Sequence, residues 1–130
     1  MCEKLLALLW IKVEAMTPSE RKALEDYVSA VRGHYGARLV EVLLFGSRAR
    51  GDARADSDAD LAVILEDGDW RFWDEKMFLS DLAYDALLNP GLWIQAWPVS
   101  RSGWKEEDLR KVPFFVVGAR ADARPISEAV

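Results

Sequence analysis

Leu39-Val40-Glu41-Val42-Leu43-Leu44-Phe45-Gly46-Ser47 and, ten residues on, Asp58-Ala59-Asp60-Leu61-Ala62-Val63-Ile64-Leu65 decide how this chain folds. Each half holds an apolar run of strand length, and a turn separates them. Gly46 marks the point where the chain must turn, and Ser47–Arg50 predicts a single helical turn behind it. Side chains alternate along a strand, so Asp58 and Asp60 share a face at the entry to the second run, with Cα atoms roughly 7 Å apart. Two carboxylates converging there suit a hard divalent cation such as Mg²⁺, which takes one or two carboxylates plus waters and substrate phosphates. The Gly-Ser turn can bring backbone N–H groups and a hydroxyl up to phosphate oxygens. Together the halves describe a site for a metal and a nucleoside triphosphate.

Around this centre the sequence alternates helical and strand signals. Thr17-Pro18-Ser19-Glu20 starts a helix, with Thr17 as N-cap, Pro18 at the first helical position and Glu20 completing a capping box. Ala23, Leu24, Tyr27, Val28 and Val31 then recur at helical spacing up to Gly33. A second helix is predicted from Trp70 to about Leu88, capped by Asp69 or a neighbour, with Trp73, Met77, Leu82 and Leu87 turned inward. Asn89-Pro90-Gly91 ends it. Leu92–Val99 reads as a third strand whose Pro98 belongs at a sheet edge. Ser102–Arg110 and Pro113–Ala121 read as short helices, and Leu5–Val13 as a short helix or edge strand. The expected class is α/β (α+β), a small mixed β-sheet flanked by helices. One domain is expected over residues 1–130, with its core in 17–121 and a polar tail in 122–130.

At 51% hydrophobic residues, the 130-residue chain can build a core, while a net charge of −5 and a pI near 4.9 exclude a broad basic surface for nucleic acid. Arg48, Arg50 and Arg54 do gather between the Gly-Ser turn and the aspartates. Either they compensate the loop's own acids, or Arg48 and Arg50 contact phosphate. The single cysteine, Cys2, excludes an internal disulfide and fits a reducing compartment. No apolar run is long enough to span a bilayer, and Leu5–Ile11 lacks the flanks of a signal peptide. The expectation is a cytoplasmic protein. An EF-hand over Asp56, Asp58 and Asp60 fails because Leu61 stands where that loop needs Gly. His34 reads as a helix C-terminal residue, since one histidine cannot build a zinc site.

The stretch Gly46–Val63 resembles the signature of the DNA polymerase beta-type nucleotidyltransferase superfamily: Gly-Ser, about ten residues, then Asp-x-Asp. Its short length and its Arg48-Ala49-Arg50-Gly51 wording are most similar to the minimal nucleotidyltransferase (MNT) family. That resemblance implies that Asp58 and Asp60 hold Mg²⁺, and that Gly46 and Ser47 hold the triphosphate of ATP or another nucleoside triphosphate. It also implies transfer of a nucleoside monophosphate to a hydroxyl on a partner protein, a HEPN-family helical protein in a toxin–antitoxin pair. The chain is too short to carry a separate acceptor-binding domain, so acceptor recognition is expected from a partner or from a second copy in a homodimer.

Superfamily members usually place a third carboxylate on the next strand. The matching run here, Leu92-Trp93-Ile94-Gln95-Ala96-Trp97-Pro98-Val99, has no acid, and Gln95 is the candidate for that position. An amide can accept a hydrogen bond, but it supplies neither charge nor a general base. The other reading is therefore a binding module that keeps nucleotide or metal binding and neutralises its partner by contact. Trp93 and Trp97 share the face of Gln95, either as core or as an aromatic patch for a partner. Asp81 and Asp85, on the intervening helix, are expected to be solvated.

Overall fold

A computed structural model of the chain describes residues 16–51 and 58–126. The Leu5–Val13 segment, Cys2 and Arg54 lie outside the described residues. Helix α1 (Pro18–Tyr35) leads through a 3₁₀ turn (Gly36–Arg38) into β1 (Leu39–Phe45) and the one-turn helix α2 (Ser47–Arg50). Then come β2 (Ala59–Leu65), α3 (Phe72–Leu82), α4 (Tyr84–Leu88), β3 (Ile94–Ser100), α5 (Arg101–Lys105), α6 (Val116–Asp122) and the two-residue β4 (Arg124–Pro125).

The sheet runs β3-β2-β1-β4, with β2 parallel to β3 and antiparallel to β1, and β4 antiparallel to β1. It is the small mixed sheet flanked by helices that the sequence predicts. β2 is an interior strand, and Leu61 through Leu65 are buried on both faces, which is why it reads as an unbroken apolar run. On one face Leu61, Val63 and Leu65 pack with Val42 and Leu44 beneath α1, α3 and α4. The opposite face carries Ala62, Ile64, Leu43 and Val99, covered by Val116 and Phe115. Tyr27 Oη donates 2.8 Å to the Leu79 carbonyl, pinning α1 to α3; burial pushes its phenol up.

α1 begins as the sequence predicts: the Thr17 hydroxyl accepts from Glu20 N–H at 3.1 Å, and Glu20 accepts from Thr17 N–H at 2.9 Å. Thr17→Ala is expected to lower unfolding free energy by about 1 kcal/mol in urea titrations.

Four expectations need correction. The predicted 70–88 helix starts at Phe72 behind Arg71, not at a cap on Asp69, and divides at Ala83 into α3 and α4. Trp73 and Met77 face outward, 68% and 60% exposed, while Lys76 and Leu79 of the same helix are buried. Apolar side chains lie on both sides of α3, so spacing alone could not fix its rotation. The two short helices, predicted at 102–110 and 113–121, occupy Arg101–Lys105 and Val116–Asp122. The start of the expected tail is structural: Arg124–Pro125 pairs with β1, and Ile126 is buried in the core. Pro98 does sit on the edge strand β3, where its missing N–H costs no ladder bond.

Candidate active site

Asp60 is the second residue of β2, in register with Phe45 on β1 and Gln95 on β3. Registered residues project to the same side of a sheet, so the Asp60 and Gln95 side chains share one face. Asp58 lies two residues upstream, just before the strand, and is half-buried like Asp60. Burial and then the charge of Asp58 push the Asp60 carboxyl up to about 6, while Lys76 and Arg50 pull weakly the other way. A carboxylate held near another negative charge and partly out of water is short of a cation. Among the described residues no group of three or more acidic, histidine or cysteine side chains forms a larger metal cluster. Two carboxylates facing a neutral amide are a donor set that fits one divalent cation completed by water and phosphate oxygens.

Gly46 closes the other side. Its φ of 77° and ψ of −157° lie in a region essentially confined to glycine. A Cβ built there would stand 2.5 Å from Asp60 Oδ2. The turn therefore passes directly against the Asp60 carboxylate, which only a missing side chain permits. Behind it, Arg50 N–H donates to the Gly46 carbonyl and Gly51 N–H to that of Ser47, each at 3.0 Å, closing α2. Ser47 opens this turn, and the first N–H groups of a helix have no intrahelical acceptor.

The two arginines have different surroundings. Arg48 points inward, its side chain 2% exposed, with Nη2 3.6 Å from Glu20 Oε2. It ties α2 to the start of α1, a buried setting unlike the solvated loop in which the arginines would merely compensate its own acids. Arg50 is exposed, and its Nη1 donates to Asp122 Oδ2 on α6 at 2.8 Å. Asp81 and Asp85 are exposed, as expected. His34, in the last turn of α1, stacks on Phe78 at 3.9 Å. Trp93 is exposed, while Trp97 packs at 5.2 Å on Phe115.

Lys76 was not legible as part of this neighbourhood. A lysine on an amphipathic helix normally marks the wet side, yet Lys76 is buried, with Nζ 2.8 Å from the Ala96 carbonyl and 4.2 Å from the Trp97 ring centroid. Only its place three residues before the buried Leu79, on one helix face, hinted at this.

Comparison with known proteins agrees with the geometry. The family model described as "Nucleotidyltransferase domain" matches residues 24–118, from within α1 to the start of α6. The curated protein named "Putative protein adenylyltransferase MJ0604", from Methanocaldococcus jannaschii, is 36% identical over 78 residues, covering 60% of this chain and 71% of that protein. A second from the same organism, "Putative protein adenylyltransferase MJ1305", is 32% identical over 69 residues, covering 53% of this chain and 47% of that protein. This chain thus spans about half the length of the second relative. The matched region contains the glycine turn, the aspartate pair and strands β1, β2 and β3, and the chain belongs to the nucleotidyltransferase domain family.

Proposed function

We propose that this protein binds a nucleoside triphosphate, ATP by expectation, with Mg²⁺, and transfers its nucleoside monophosphate to a hydroxyl on a partner protein. The observation that carries this reading is the contact of the Gly46 turn with the Asp60 carboxylate: phosphate and metal ligands would meet at one point. Asp58 and Asp60 would hold the metal. Gly46 and Ser47 would receive the phosphates through backbone N–H groups, with Arg50 at the exposed side of the same turn. When bound, the cation neutralises charge on the phosphate oxygens. The acceptor oxygen bonds to the α-phosphorus while the bond to the β-phosphate's bridging oxygen breaks; pyrophosphate leaves and the hydroxyl proton passes to solvent.

The relatives' names support a protein acceptor. The MNT resemblance supports a HEPN-type partner in a toxin–antitoxin pair, with acceptor contacts supplied by that partner or by a second copy. No helix among the described residues is long and apolar enough to cross a membrane, in keeping with a cytoplasmic setting. Gln95, directly across from Asp60, favours a second reading: a nucleotide-binding module that restrains its partner by contact and transfers slowly or not at all.

Incubation with α-labelled ATP, Mg²⁺ and a candidate HEPN-family protein separates the two readings. Transfer predicts label on the partner, reduced by about a hundredfold or more in the Asp58→Asn, Asp60→Asn double variant. Calorimetric ATP binding without labelling supports the module. Equal ATP affinity in wild type and double variant rejects the site itself.

A further inference from the structure

Lys76 and Arg48 are the buried charged residues among those described. Arg48 has a carboxylate close by in Glu20. Among the described residues Lys76 has none at ion-pair distance: its ammonium meets a carbonyl and an aromatic face. Withdrawing a lysine from water without a counter-ion is costly, so its position calls for an electrostatic reason. The surroundings supply one. Ala96, which accepts the Nζ bond, follows Gln95, and Trp97 lies two residues beyond Gln95 on the face that also carries Asp60. β3 is an edge strand, so a side chain from α3 can pass round it to that face.

We propose that the Lys76 ammonium is a fixed cation of the nucleotide site, held by the Ala96 carbonyl and the Trp97 ring beside the position where Gln95 leaves the carboxylates one charge short. This inference rests on the nucleotidyl-transfer reading and deepens it. A site with two carboxylates and a resident ammonium has less negative charge to offer divalent ions than one with three carboxylates. It is built for one ion and one lysine facing the triphosphate. The lysine needs no recruitment from solvent, and its place is set by the sheet edge and an aromatic face.

The test compares wild type, Lys76→Met and Lys76→Arg by titration with Mn²⁺ alone, followed by electron paramagnetic resonance. A second titration follows a non-hydrolysable ATP analogue at saturating Mn²⁺ by calorimetry. Removing a fixed cation should tighten Mn²⁺ alone by roughly three- to tenfold and weaken the analogue by a similar factor. Arg should restore both, and wild type should hold one Mn²⁺ per chain with the analogue. A lysine that only caps the edge carbonyl predicts different outcomes: both affinities unchanged, or both weakened together as the fold loosens. Either result overturns the proposal, as would two tightly held ions in the wild type. Wild-type protein that binds neither Mn²⁺ nor analogue overturns the nucleotidyl-transfer reading along with it. Wild-type binding that Lys76→Met leaves unmoved overturns this inference alone.

Discussion

Asp60→Asn is expected to make the ligand-free protein more stable near neutral pH while removing its metal-dependent nucleotide binding. In the fold the carboxyl of Asp60 titrates at about 6, above the ordinary aspartate value near 4. The folded protein therefore holds its proton more tightly than the unfolded chain does. The stability tied to that proton is complete below about pH 4 and is lost as pH rises through about 6. At pH 7 the folded state carries a half-buried anion beside Asp58, which Lys76 and Arg50 offset only in part. Asn keeps the shape and removes the charge. With allowance for partial exposure, the gain should be on the order of 1 kcal/mol, a few degrees in Tm. The advantage should vanish at pH 4, and Mg²⁺ should stabilise wild type but not the variant. Thermal melts from pH 4 to 7.5, with and without Mg²⁺ and ATP, check this. A wild-type Tm that is flat with pH, or a variant less stable at pH 7, would contradict the picture of a site under electrostatic load.

The second large effect belongs to Gly46. Gly46→Ala forces a residue with a Cβ into backbone geometry that costs about 1–3 kcal/mol, and sets that Cβ against Asp60 Oδ2. The carboxylate must swing away or the turn must shift, and either separates the proposed phosphate ligands from the proposed metal ligands. ATP affinity in Mg²⁺ is expected to fall at least about tenfold, alongside a stability loss of about 2 kcal/mol. Gly33→Ala is the matched control. It lies inside α1 with nothing within 4 Å of the added Cβ, so it should be neutral or slightly stabilising and leave ATP binding untouched. Affinity retained in Gly46→Ala would mean that the turn serves only the fold.

The part of the fold that frames the site was legible because local signals there agree with one another. β1 and α2 have the bounds that the apolar run and the Gly-Ser turn imply, and the capping box fixes the start of α1. The order of the two aspartates and Gln95 across the sheet also follows from alternation and from the crossover between parallel strands. What escaped was set by tertiary context. β4 is an Arg-Pro pair with no strand propensity, held by pairing to β1 and by burial of Ile126. α3 carries aromatic and apolar side chains all round, so Trp73 and Met77 could not be told from the buried positions. Lys76 and Arg48 escaped because a basic side chain is read as solvated until its partners are known: a carbonyl and a ring for one, Glu20 for the other.

Glu20 ends up with two employers. One carboxylate oxygen closes the capping box on Thr17 N–H, and the other lies 3.6 Å from Arg48 in the turn that follows Gly46. The first turn of α1 and the bend beside Asp60 are thus fastened by a single side chain. Mutational drift at Thr17, Glu20 and Arg48 is consequently a joint affair: substitutions there should interact rather than add. A change that frays the first turn of α1 would be felt in the loop across from Asp60, some thirty positions along the chain.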